Sequence, residues 1–413
     1  MREEFTGRRQ ASGQPGGDSE SREAAYSHPT LTPVADIFPS ISSRIKSVIE
    51  RGDKKLVLIF SDVDGTLSLG RDVAGNGALT RDVITKARSR GVILVPITGS
   101  HYSSGTISTP SIEARIKEGC LPTFASGDKA DSEFAVDAYA TDGGAILLVQ
   151  NNSVPGGSSR IGISPEGPSY VRDYQSFVNS HRFDYEKFIG RSLLDLMDLQ
   201  NGKADRLHSM VFSAETVKQY DPKPLSHWIE FQPGTAEGLH RTAGKIAFYF
   251  YANSIDDRDA VESYFKVRFP GAQVVCCEER DANTKAREWA IKTKSTSAPL
   301  TLKYCLDLVP FHKGTPVSFM LRVVREELFR QSNEAGKLPI AIEAWFCGDA
   351  GNDLVGMQSD GITHVVMVGG SSPELLRQKA SLEDMGRKVY TESEPTMLGP
   401  ASILKAFEAM GLS

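Results

Sequence analysis

Leu56-Val57-Leu58-Ile59-Phe60-Ser61-Asp62-Val63-Asp64-Gly65-Thr66-Leu67 is the stretch on which the fold turns. Five consecutive large apolar residues predict a strand buried on both faces of a parallel sheet. The strand runs straight into two carboxylates one residue apart, then into Gly65 and Thr66. Ligands of open α/β sheets bind beyond the carboxyl ends of the strands, where these acids sit. Side chains alternate along an extended chain, so Asp62 and Asp64 can point the same way. Two like charges that close repel unless a cation or a shared proton relieves them, and an oxygen-rich site suits magnesium. Asp-Gly is also a common turn dipeptide, so the rest of the chain must supply the partners.

Bulk properties set the frame. A length of 413 residues permits two or three domains and a sizeable core. A net charge of −5 without a dense basic tract argues against a nucleic-acid partner. Cys120, Cys276, Cys277, Cys305 and Cys347 are odd in number and lack a Cys-x-x-Cys, so reduced core thiols are expected. No stretch approaches the roughly 20 apolar residues of a membrane span, so no membrane partner and a cytoplasmic location are expected. Residues 1–40 are polar and predict a disordered tail, too acidic for a transit peptide and without a signal's apolar core.

Outward from the first strand, residues 41–50 predict a helix leading in, and 67–78 a glycine-containing loop leading out. A helix over 80–89 follows, with Thr80 as N-cap and Gly91 as stop. Residues 92–97 form a second buried strand ending in Thr98-Gly99-Ser100, and 103–131 read as irregular. A hairpin is expected around Thr141-Asp142-Gly143-Gly144, with Asp142 as a turn acid. Residues 151–303 change texture, with an amphipathic helix through Tyr185, Phe188, Leu193 and Met197. Strands at 227–231, 245–251 and 273–277 and a helix at 256–265 follow. The run 300–310 then reads as the return to the main sheet.

Beyond it lies Phe311-His312-Lys313-Gly314-Thr315-Pro316, in which Thr315 can cap a helix that carries Pro316 at its first position and runs to about residue 330. Lys313 stands at that helix's positive end, a candidate anion site. Ala344-Trp345-Phe346-Cys347 is another strand, followed by Gly348-Asp349-Ala350-Gly351-Asn352-Asp353. Two acids four residues apart, with glycines opening the backbone, can place Asp349 on a metal and Asp353 behind it. A strand within 361–370, a helix opening at Ser372-Pro373, a strand at Lys388–Thr391 and a helix over 401–410 complete the chain.

Asp62-Val63-Asp64-Gly65-Thr66, the hydroxyl of Thr98, the Lys313-Gly314 pair and Gly348-Asp349-Ala350-Gly351-Asn352-Asp353 together resemble the four motifs of the haloacid dehalogenase (HAD) superfamily. The wording around Lys245-Ile246-Ala247-Phe248-Tyr249 and Leu306-Asp307-Leu308-Val309-Pro310 is most similar to the sucrose-phosphate phosphatase group. Ser100 departs from it, since related sugar-phosphate phosphatases usually place an arginine there. The resemblance implies an α/β fold: a Rossmann-like core of mostly parallel strands over 41–150 and 304–413, with an α+β cap of the C2 type at 151–303. It implies a magnesium-dependent phosphomonoesterase acting on a small-molecule sugar phosphate, as a monomer or weak dimer. Asp62 would be the nucleophile and Asp64 the general acid and base. Asp62, the Asp64 main-chain carbonyl and Asp349 would hold the metal, with Asp353 behind them. Thr98, Gly99, Lys313 and Asn352 would bind or orient the phosphoryl group, and Glu237 and Lys245 in the cap would contact the sugar. A phosphatase for another saccharide or osmolyte, a phosphomannomutase-like isomerase using Arg71, and a regulator without turnover are the rival readings.

Overall fold

Leu56, Leu58 and Phe60 of strand β1 (Lys55–Asp62) pack into one buried apolar cluster, while Val57 and Ile59 pack into another. That alternation places β1 inside a layer covered on both faces, as five apolar residues in a row require. The computed structural model describes residues 34–68, 76–100, 111–125, 134–144, 146–150, 158–162, 230–231, 246–252, 254–268, 273–278, 280–293, 302–309, 312–337 and 340–412. After β1 the strands are β2 (Ile93–Ile97), β3 (Thr123–Phe124), β4 (Ala135–Val136), β5 (Tyr139–Thr141), β6 (Ile146–Gln150) and β7 (Ser158–Gly162). They continue with β8 (Glu230–Phe231), β9 (Ile246–Ala252), β10 (Gln273–Glu278), β11 (Leu302–Val309), β12 (Ala341–Gly348), β13 (Ile362–Met367) and β14 (Lys388–Thr391).

The main sheet runs β14-β13-β12-β1-β2-β5-β6-β7. Pairing is parallel from β14 through to β5 and antiparallel from β5 to β7. The fold is α/β. Helices Pro39–Arg51 and Gly314–Glu334 cover one face, and Asn76–Ser89 and Gly399–Ala409 the other. The first two are tied by Ser42 Oγ, which donates to Glu327 Oε1 at 2.7 Å. A second sheet, β10-β11-β9-β8, is antiparallel throughout. Helix Ile255–Arg268 joins it to the main layer through Arg258, whose Nη2 lies 3.2 Å from Glu374 Oε1.

Several expectations change. The run 300–310 does not return to the main sheet: β11 lies between β10 and β9 in the second one. An apolar, β-rich run looks the same in either layer, so its composition does not say which it joins. Strand β7 extends the main sheet beyond residue 150. Thr80 is no cap, because its helix begins at Asn76; its buried hydroxyl donates to the Leu67 carbonyl at 2.8 Å. Thr315 likewise lies inside its helix, whose N-cap is Lys313 and whose last residue is Glu334. Within the stretch read as irregular sits a helix, Ile112–Lys117, capped by Ser111 Oγ, which accepts from the Ala114 N–H at 3.2 Å. The expected disordered tail stops short of residue 40: Val34–Ile37 is helical, Pro39 opens the helix Pro39–Arg51, and Val34 and Phe38 are buried, because this end of the segment carries apolar side chains that the polar residues before it lack. The amphipathic helix expected near Tyr185–Met197, residues 1–33, Arg71, Glu237 and Lys245 lie outside the described residues. Among the described residues no helix is long and apolar enough to cross a membrane.

Candidate active site

Parallel pairing of β1 with β12 and β2 brings the ends of three strands to one rim. Asp62 closes β1 and is buried at 5 % exposure. Beyond it the chain folds back tightly: the Leu67 N–H donates to the Asp62 carbonyl at 3.2 Å and the Gly65 N–H to the Ser68 carbonyl at 2.9 Å. Gly65 makes the turn at φ +85°, a conformation side-chain-bearing residues rarely hold.

β12 delivers the next acids. After Gly348 comes a short 3₁₀ turn, Gly351–Asp353, that points Asp353 back beneath the loop. Asp353 Oδ2 accepts from the N–H groups of Asp349 (2.9 Å) and Ala350 (3.0 Å). Its other oxygen accepts from Lys313 Nζ at 2.6 Å, and the same ammonium donates to Asp62 Oδ1 at 2.5 Å. Lys313 thus bridges the first strand and the fourth-motif loop. It is buried, and although burial opposes its charge, Asp353 and Asp62 hold its pKa above the ordinary lysine value.

Carboxylate oxygens of Asp62, Asp349 and Asp353 lie within 4.8 Å of one another, all three residues buried. Burial pushes the Asp62 carboxyl well above the usual range; Lys313 pulls it back, while Asp353, Asp349 and Asp64 push it further up. Lys313 reaches Asp62 and Asp353, and the ligand atoms that the three acids offer are all oxygen. This cluster can hold a hard divalent cation. Asn352 Oδ1 is buried without a hydrogen-bond partner among the described residues, a further oxygen aimed at no protein donor.

Asp64 stands apart. Its side chain is 46 % exposed and turns from the triad, so the side chain does not join the metal-capable cluster. Thr98, at the end of β2, donates from Oγ1 to Asp64 Oδ2 at 3.3 Å, and Ser100 Oγ donates to the same oxygen at 3.2 Å. Gly99 forms the bend between these hydroxyls. The Asp64 partner missed in the sequence is Arg115, whose Nη1 donates to Oδ1 at 2.6 Å from the unexpected helix Ile112–Lys117. A signal was present in Ser111-Ile112-Glu113-Ala114-Arg115-Ile116-Lys117: an N-cap serine, an acid in the first turn and bases in the last.

No protein-family model matches the chain, and no curated protein matches it. Among solved structures, it is similar to a phosphatase of the haloalkanoate (HAD) enzyme superfamily from Bacteroides thetaiotaomicron, at 15 % identity and TM-score 0.39, over 88 % of this chain and 98 % of that one. It is similar also to the C-terminal domain of Candida albicans trehalose-6-phosphate phosphatase, at 12 % identity and TM-score 0.35, over 90 % of this chain and 95 % of the other. A structure of Plasmodium falciparum IMP-nucleotidase shares 12 % identity at TM-score 0.38, over 88 % of this chain and 70 % of that one. Likeness of this degree bears on neither activity nor substrate.

Proposed function

We propose that the chain is a magnesium-dependent phosphomonoesterase that hydrolyses a sugar phosphate, of the sucrose-6-phosphate kind, through an aspartyl-phosphate. The observation that carries this reading is the convergence of Asp62, Lys313, Asp349 and Asp353 at one rim, with Asp64 a residue beyond the nucleophile. One Asp62 oxygen accepts from Lys313; the other is the atom assigned to attack phosphorus. Asp64, half exposed on the open side, protonates the leaving oxygen and then deprotonates the hydrolytic water. The Lys313 ammonium and the Thr98 hydroxyl donate to the transferring phosphoryl oxygens. Asp353 acts on Lys313 and on the Asp349 loop rather than on substrate. Magnesium, held by Asp62, Asp349 and the Asp64 main-chain carbonyl, would supply Lewis-acid stabilisation of the phosphoryl charge.

The second sheet is the cap in this reading. Its strand β10 meets the fourth-motif turn, where a Cβ on Gly351 would lie 3.6 Å from Cys277 Sγ. A sheet so placed can exclude water and contact the sugar, with Glu237 and Lys245 as the proposed contacts. The substrate is a small molecule, and the enzyme works in the cytoplasm as a monomer or weak dimer.

Phosphate release from a panel of sugar phosphates, with and without magnesium, tests the proposal. Magnesium-dependent release that Asp62→Asn abolishes is expected. Isomerisation without release would make the protein a mutase, and binding without either reaction would make it a regulator.

A further inference from the structure

We propose that Arg115 is a phosphate-binding residue, covered by Asp64 until a phosphate monoester displaces that carboxylate. The inference rests on the phosphomonoesterase reading of the Asp62 site and adds to it a residue outside the four motifs. The Arg115–Asp64 pair is lopsided. The cation's side chain is 4 % exposed and its counter-ion's 46 %, with Nη1 and Oδ1 2.6 Å apart. The guanidinium is buried, and its counter-ion is the exposed member of the pair. Arg115 Nη2 is buried and has no hydrogen-bond partner among the described residues. A buried donor left unpaired is costly, so its persistence needs an acceptor that arrives from outside.

The geometry fits a tetrahedral dianion better than it fits Asp64. A guanidinium presents its N–H groups as a planar fork suited to two oxygens of one anion. Asp64 gives Arg115 one oxygen and commits the other to Thr98 and Ser100. Phosphate can take Nη1 and Nη2 together and can also accept from Thr98. Such an exchange has a mechanical consequence. While Asp64 accepts from Arg115, Thr98 and Ser100, both of its oxygens are engaged by protein donors. Arrival of the phosphoryl group at Arg115 and Thr98 releases the Asp64 carboxylate, which takes up a proton from solvent on its open side and can then deliver it to the leaving oxygen. Charge agrees: four carboxylates gather here, and Lys313 and Arg115 are buried cations facing them. A dianion entering that field needs cationic donors of its own.

Inorganic phosphate is the probe, because it binds without turnover. Its affinity would be measured by calorimetry in the presence of magnesium for the native protein, Arg115→Met, Arg115→Lys, Asp64→Asn and the Asp64→Asn/Arg115→Met double variant. Arg115→Met should bind phosphate roughly 10- to 100-fold more weakly, and Arg115→Lys should recover only part of the loss, having a charge but no fork. Asp64→Asn should bind more tightly than native, because the cover is weakened, and that gain should vanish in the double variant. A merely structural Arg115 predicts the same gain in both backgrounds and unchanged phosphate affinity in Arg115→Met, and either result overturns the proposal. If Arg115→Met does not fold, Arg115→Lys with native affinity overturns it. Native protein that binds no phosphate removes the phosphomonoesterase reading together with this one; native binding unaffected at Arg115 removes this one alone.

Discussion

Gly65 lies against Asp349 so closely that a Cβ built on it would stand 2.4 Å from Asp349 Oδ2. The glycine of the first motif is therefore what allows the acid of the fourth to come in. Gly65→Ala meets two obstacles, a φ of +85° and that overlap. The overlapping atom is a carboxylate oxygen on a short side chain, so Asp349 must move. Displacement of a reacting-centre group by about 1 Å can cost on the order of 10²-fold in rate. The expected result is a folded protein by circular dichroism whose phosphate release falls by about that factor. Native turnover in Gly65→Ala would mean that Asp349 does not hold the metal.

Lys313 bridges Asp62 and Asp353 whatever its part in the proposed reaction. Lys313→Met would leave Asp62 and Asp353 buried without their shared cation, a loss that typically destabilises by about 3–5 kcal/mol. Asp353→Asn keeps the shape but replaces an acceptor-only carboxylate with an amide that also carries donors. Urea denaturation should show a large fall in the midpoint for Lys313→Met and a smaller one for Asp353→Asn, with activity lost in both. Equal midpoints across native protein and both variants would refute the bridge.

These motifs were legible for a local reason. A buried strand, two acids and a glycine, or a lysine before a helix, are written in adjacent residues. Burial then brings them together because parallel strands share one carboxyl rim. What escaped was non-local or short. Helix Ile112–Lys117 has six residues, too few for periodicity to stand out, although its cap and charges were in view. Threonine suits an N-cap, which is why Thr80 and Thr315 look like caps in sequence, but each lies inside a helix that begins earlier. Strand β11 joins the second sheet rather than the main one, a choice its sequence cannot signal, since an apolar run reports burial and not the identity of the neighbour.

Acid stability offers a check on the packing of the two helices that carry Ser42 and Glu327. Burial alone would raise the Glu327 carboxyl, but hydrogen bonds from Arg330, Ser42 and Gln331 outweigh it and hold the pKa at about 2, against an ordinary 4.5. The folded-state value is the lower one. The stabilisation is therefore complete above pH 4.5 and disappears as pH falls through the folded-state value near 2. A shift of this size corresponds to at most about 3 kcal/mol. Glu327→Gln should lower the neutral-pH thermal midpoint and flatten the decline between these pH values. Parallel acid curves for the two proteins would show that Glu327 is not the group responsible.

Magnesium binding can be read without turnover. A ligand that binds only the folded state raises stability by about 2.7 kcal/mol at a hundredfold excess over its Kd. Native protein should therefore melt higher in magnesium and return to its starting midpoint with a chelator. Asp349→Asn removes a proposed ligand and also one of three mutually repelling buried acids. Two effects of opposite sign follow. The metal-free midpoint should stay level or rise, as the repulsion falls, while the magnesium-induced increment disappears. An undiminished increment in Asp349→Asn would place the cation elsewhere. A falling metal-free midpoint with the increment intact would make Asp349 a structural acid rather than a metal ligand.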